Sequence, residues 1–330
     1  MPDRQTPTRR RAVLLGLALA CAASALPAAT AAQWPDKPIQ LVIPYPPGGS
    51  ADLLARPLAL QLQQQLKQPV VLEYKPGAGG TVASQYVARA KPDGYTLLMV
   101  LAAHAINDSL YPNLPYDTRK DFAPVSLVAN LPMIVAASSK LPARNVRELI
   151  EVAKAAPGKL TFGSAGNGNT GHLAAEYFSS VTGIKMMHVP YKGSANVVTA
   201  MLAGEIDLTF DSISTSMPHI RSGRMHAIAV TSPRRSALAP DVPTIQEQGI
   251  AGFDVTGWYA VLGPAGTPAP IRTKLSEAIA VALKQPAMQK QMESGGYEAV
   301  GSTPEALQAH IERELVRWAK VVKDTGARVD

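Results

Sequence analysis

The sequence predicts an α/β fold in two domains, with parallel-rich sheets covered by helices. Short β-rich runs alternate with helical patterns through nearly the whole chain, the pattern of strands joined by helical crossovers. The chain has 330 residues, more than one modest core usually fills. Two irregular stretches rich in proline or glycine, residues 101–131 and 231–257, interrupt the alternation and bracket a middle segment. The expected division is residues 33–132 as the first part of domain I, 133–257 as domain II and 258–330 as the return to domain I.

Each unit follows from its local pattern. Residues 38–45, PIQLVIPY, read as a strand. Leu54, Leu58, Leu62 and Leu66 then recur every four residues as one face of a helix. Pro57 inside that helix predicts a kink or a late start. Strands are expected at 69–74, 95–100 and 133–138, and a helix at 145–156. LTFGSA, MMHVPY, IDLTFDS and MHAIAVT are further strands, the first two followed by helices after Thr170 and Ser194. Two helices, near 271–283 and 304–323, close the chain. Right-handed crossovers place every strand-to-helix turn at the same edge of its sheet, where open α/β sheets bind ligands.

Residues 1–32 carry Arg9, Arg10 and Arg11, a short apolar run and an A-x-A-like site at Ala29 to Ala31, the pattern of an export signal. The run falls short of the roughly 20 residues a spanning helix needs. The arginines also suit the twin-arginine route, and Cys21 offers a competing lipoprotein site. The segment holds four arginines and one aspartate, so the formal charge of +7 falls by three to +4 without it. That balance, with no dense basic stripe, calls for no nucleic acid. Cys21 is the single cysteine, so cleavage after Ala31 leaves no disulfide and no thiolate metal site.

Five turns rich in glycine or serine lead into helices: IPYPPGGSADLLAR (43–56), GAGGT (77–81), GSAGNGNTGH (163–172), YKGSAN (191–196) and FDSIS (210–214). In the first, Gly48 and Gly49 allow close backbone approach, Ser50 is a cap candidate and Asp52 sits in the first turn. Free N–H groups and the helix dipole at such an end favour an anion. The plainer alternative is turn punctuation, with Asp52 paired to Arg56. Gly166, Gly168 and Gly171 match G-x-G-x-x-G, but Tyr191 and Lys192 stand where a dinucleotide site needs an acid. Ser164 is not in G-x-S-x-G. The six histidines have no metal-ligand spacing. No cofactor is expected.

These motifs, with PDGYTLLM, GRMHAIAVTSPRR and VPTIQEQG, occur in an order that resembles the substrate receptors of tripartite tricarboxylate transporters, the Bug proteins, over about residues 34–325. The resemblance implies a periplasmic binding protein of type II, with two hinged α/β domains and a ligand cleft between them. It implies a monomer that encloses a small carboxylate (a dicarboxylate, tricarboxylate or amino acid), passes it to a separate two-component membrane permease and catalyses nothing. It also implies that two loops hold the carboxylate largely by backbone N–H groups and water. Here those loops carry Tyr45, Pro47, Gly48, Gly49, Ser50 and Asp52, and Ser164, Ala165, Gly166, Gly168, Asn169, Thr170 and His172. Tyr191 and Asp211 match positions that line the cleft, and the hinge falls near residues 131–133 and 257–258. Pro47 and Pro57 depart from many relatives. A sensing receptor, or an enzyme on the same fold, is the alternative.

Overall fold

The computed structural model describes residues 34–327; the expected export signal and Cys21 lie outside them. From Lys37 onward the chain forms one compact unit built on a ten-stranded sheet. Strands β1 (Ile39–Ile43), β2 (Val70–Tyr74) and β3 (Thr96–Leu101) pair in parallel at one end. Strands β5 (Thr161–Ser164), β6 (Met187–Pro190) and β7 (Leu208–Ser212) do so at the other. Two antiparallel strands join the ends: β4 (Phe122–Ser138) and β9 (Thr256–Pro264). Strand β4 pairs with β9 up to Pro132, and from Met133 with β7 and β8 (Met225–Val230). A short β10 (Glu298–Ala299) completes the sheet.

The segment 101–131, expected to be loop-rich, is instead mostly ordered. It holds a helix, Ala103–Leu110, and more than half of β4, of which the expected strand at 133–138 is only the end. Pro124 is tolerated because the β4–β9 register shifts beside it, and a bulge needs no ladder donor.

The helices, α1 to α10 in chain order, are Ser50–Leu66, Thr81–Ala88, Ala103–Leu110, Val146–Ala155, Thr170–Thr182, Ser194–Ala203, Ile213–Arg221, Ala269–Leu283, Pro286–Gly295 and Pro304–Thr325. Helix α1 buries Leu54, Leu58, Leu62 and Leu66 and packs on α8 and β2. Pro57 does not delay it: the helix starts at Ser50, although the carbonyl of Leu53 loses its usual donor. Lys67 ends it in the left-handed region, φ 59°. Asn169 caps α5, its side chain accepting the His172 N–H. No helix among the described residues is long and apolar enough to cross a membrane.

Candidate functional site

The turns after β1, β5, β6 and β7 lie at the carboxyl ends of parallel strands and open into one cleft. The cleft holds about 640 Å³, part of it open to solvent. Gly49 to Ala51 start α1, Asn169 to Gly171 start α5, Gly193 to Ala195 start α6, and Ser212 precedes α7; all of these line it. Four helix N-termini therefore face one space. The first N–H groups of a helix have no intrahelical acceptor, and its dipole makes that end positive. The turn at 77–81 is the exception: it does not line the cleft, and the Gly79 carbonyl accepts from Asn107 Nδ2 and Tyr45 Oη.

Of the residues singled out in the sequence, Tyr45, Pro47, Gly49, Ser50, Ala165, Asn169, Thr170 and Asp211 line the cleft. Ser50 is the first helical residue and not the cap, which is Gly49. Its Oγ accepts from Tyr259 Oη at 2.7 Å and Ser212 Oγ at 3.0 Å. Three hydroxyls joined by two hydrogen bonds leave one proton free to donate. Tyr297 Oη donates to the Ser50 carbonyl at 2.7 Å and fixes the turn from behind.

The other expected residues stand behind the lining and shape it. The Gly48 N–H, expected to face an anion, donates instead to Asp52 Oδ2 at 2.9 Å. Buried Asp52 also accepts from Arg56 Nε at 3.0 Å and from the Tyr74 hydroxyl. Burial pushes the Asp52 carboxyl up, but the bonds from Tyr74, Gly48 and Arg56 outweigh it and hold the group below the usual range. In the second loop, the Gly168 N–H donates to His172 Nδ1 at 3.2 Å and the Gly166 N–H to Ser164 Oγ at 3.3 Å. The His172 ring stacks on His188 at 4.0 Å, and His188 Nε2 meets Ser164 Oγ at 2.6 Å. Burial pushes His172 down to about 4 and His188 to about 3, so both rings are neutral at neutral pH. Tyr191 N–H donates to the Ser164 carbonyl at 2.9 Å. These bonds take Gly48, Gly166 and Gly168 out of the donor set and leave Gly49 to Ala51 and Thr170 to Gly171.

The sequence reading missed the far wall, where Trp258 and Tyr259 of β9 line the cleft with Leu131 and Met133 of β4. Trp258 is held by a bond from its Nε1 to buried Glu314 at 2.8 Å. The rims touch: a Cβ on Gly79 would lie 2.7 Å from the Asn167 carbonyl, and one on Gly193 3.2 Å from Pro46. Among the described residues no group of three His, Cys, Asp or Glu side chains is placed to hold a metal.

A family model described as the tripartite tricarboxylate transporter family receptor matches residues 54–327. BugT of Bordetella pertussis is 37% identical over 322 residues, covering 97% of this chain and 98% of BugT. The structure of the periplasmic binding protein BugD superposes with a TM-score of 0.86 at 36% identity, covering 89% of this chain and 99% of BugD. MatC from Rhodopseudomonas palustris, solved with bound malate, superposes with a TM-score of 0.84 at 30% identity, covering 88% of this chain and all of MatC (100%). Its fold is that of the two-domain periplasmic binding proteins, and the chain belongs to the tripartite tricarboxylate transporter receptor family, with the Bug proteins as its relatives.

Proposed function

We propose that the protein captures a small carboxylate in the periplasm and delivers it to a separate two-component membrane permease, acting as a monomer and without catalysing a reaction. The observation that carries this reading is the convergence of four helix N-termini on one cleft. The carboxylate rests on the N–H groups of Gly49 to Ala51 and Thr170 to Gly171 and on the spare proton of the Ser50, Ser212 and Tyr259 hydroxyls. No arginine lines the cleft among the described residues; Arg56 is turned to Asp52. Each charge-assisted bond of this kind contributes about 1.5–3 kcal/mol, and three or four sustain micromolar binding after ordering costs. MatC, similar along most of its length, was solved with malate, a ligand of this class.

The lobes of this reading are residues 33–132 with 258–330, and residues 133–257. The change of β4 partners between Pro132 and Met133, and the Leu131–Gly257 pairing, favour a hinge there. Closure about such a hinge is a common receptor motion. The nearby serine–histidine pair argues little for an enzyme, because Ser164 is buried and does not line the cleft.

A thermal-shift screen of small mono-, di- and tricarboxylates tests the reading, since a ligand bound to the folded state raises apparent stability by mass action. At a hundredfold excess over Kd the gain is about 2.7 kcal/mol. We expect at least one dicarboxylate or tricarboxylate to shift the melting temperature while its methyl esters do not. Equal shifts by acid and ester would show that the helix N-termini are not recognising charge.

A further inference from the structure

Asp211 is the one carboxylate residue among the described residues that lines the cleft, and it is only 5% exposed. It stands near the end of β7, between the starts of α6 and α7. Its Oδ1 is fully engaged, accepting from Ser194 Oγ at 2.8 Å and the Ser212 N–H at 2.7 Å. Its Oδ2 is buried and has no hydrogen-bond partner among the described residues. Tyr45 from the turn after β1, Tyr259 from β9 and Lys192 from the turn before α6 share the cleft with it.

A buried acceptor without a donor carries a free-energy cost. A ligand that brings the donor removes that cost. One that brings only carboxylate oxygens adds like charge to it. We propose that Asp211 Oδ2 selects the ligand: the cleft takes carboxylates that also carry a hydroxyl or ammonium group, and rejects their unsubstituted parents. The inference rests on the reading that the cleft holds a carboxylate on its helix N-termini.

The geometry also fixes what a substitution does. The Ser212 N–H can only donate, so in Asp211→Asn the amide oxygen must take the Oδ1 position. The NH₂ then stands where Oδ2 stood, and an acceptor becomes a donor. Protonation makes the same exchange in the native chain. Burial pushes the Asp211 carboxyl up to about 6. Tyr45 and Tyr259, pushed up by burial, stay neutral there.

The experiment is a calorimetric titration with matched sets: succinate, malate and aspartate, then glutarate, 2-hydroxyglutarate and glutamate. Near neutral pH, at least one hydroxy or amino acid should bind about tenfold or more tighter than its parent, because a site built to bond a donor rejects the analogue that lacks it. The malate and aspartate arms separate hydroxyl from ammonium. In Asp211→Asn, checked for folding by thermal melting, an amino acid should lose its preference, because an ammonium can only donate, and a hydroxy acid should keep only part of its own, because its hydroxyl can turn to accept from the amide. If that variant does not fold, the native protein decides: at about pH 5, below the Asp211 value, its preference should shrink severalfold. Parents that bind as tightly as both substituted acids, or a preference that is undiminished in Asp211→Asn or at acid pH, overturn the inference and leave the carboxylate cleft standing. Failure of every acid to bind overturns both.

Discussion

Gly171→Ala should unfold or loosen the second binding loop more than any other single methyl addition to the cleft lining. Gly171 is the second residue of α5, and a Cβ there would lie 2.1 Å from the Phe210 carbonyl oxygen. Phe210 is buried in β7 and paired to Val135 of β4, so its backbone cannot yield without breaking the sheet. The helix must move instead, and its first N–H groups leave the cleft with it. Overpacking costs about 1–3 kcal/mol and occasionally more, and a clash with sheet backbone belongs at the upper end. Urea denaturation should show that loss, and carboxylate binding should fall with it. A variant within about 0.5 kcal/mol of the native stability, the range of a neutral surface change, would mean that α5 is not seated against β7 this tightly.

Asp52→Ala should cost about 2–3 kcal/mol, because it leaves the Gly48 N–H and the Tyr74 hydroxyl without their acceptor. The loop that carries Gly49 and Ser50 would then lose the bond that sets Gly48 at φ 86°. Arg56→Ala should cost far less, since the guanidinium is exposed and its place is open to water. The pH dependence has a definite sign. The folded Asp52 carboxyl is held below its ordinary value. Its stabilisation is therefore complete above the unfolded pKa, about 3.9, and is lost as pH falls through the folded value. Stability curves in acid should be shallower for Asp52→Ala than for the native chain. Urea midpoints of the two variants that coincide would remove Asp52 from its place as the loop's anchor.

Most of the parallel units were legible because the strand ends in a glycine- or serine-rich turn that leads into a helix, as in β1, the turn at 43–56 and α1; β3 runs through Ala102 into its helix with no such turn. The first part of β4, before Met133, and all of β9 were not. Nearly every residue of both is buried, so neither shows the alternation that marks a half-buried strand, and Pro124 and Pro132 look like loop residues. With β9 unread, Trp258 and Tyr259 could not be placed beside turns some 200 positions away (Tyr259 and Ser50 are 209 apart). The turns themselves were visible, but which of their N–H groups were already engaged was not. The Gly48 and Gly168 donors are consumed by Asp52 and His172, a matter of side-chain rotamer and not of residue type. Gly171 carried a signal that the dinucleotide test passed over. The last glycine of G-x-G-x-x-G lets a helix approach a strand closely, and that need exists here against Phe210 with no dinucleotide to bind.

Backbone N–H groups at helix N-termini, and not a basic side chain, are expected to seat the ligand's carboxylate. A crystal structure of the protein with a carboxylate found in the thermal-shift screen tests this most directly. Carboxylate oxygens are expected within about 2.7–3.2 Å of N–H groups among Gly49 to Ala51 and Thr170 to Gly171, with Arg56 still turned to Asp52. A carboxylate held instead by Lys192 or Arg56, with those N–H groups facing water, would contradict it.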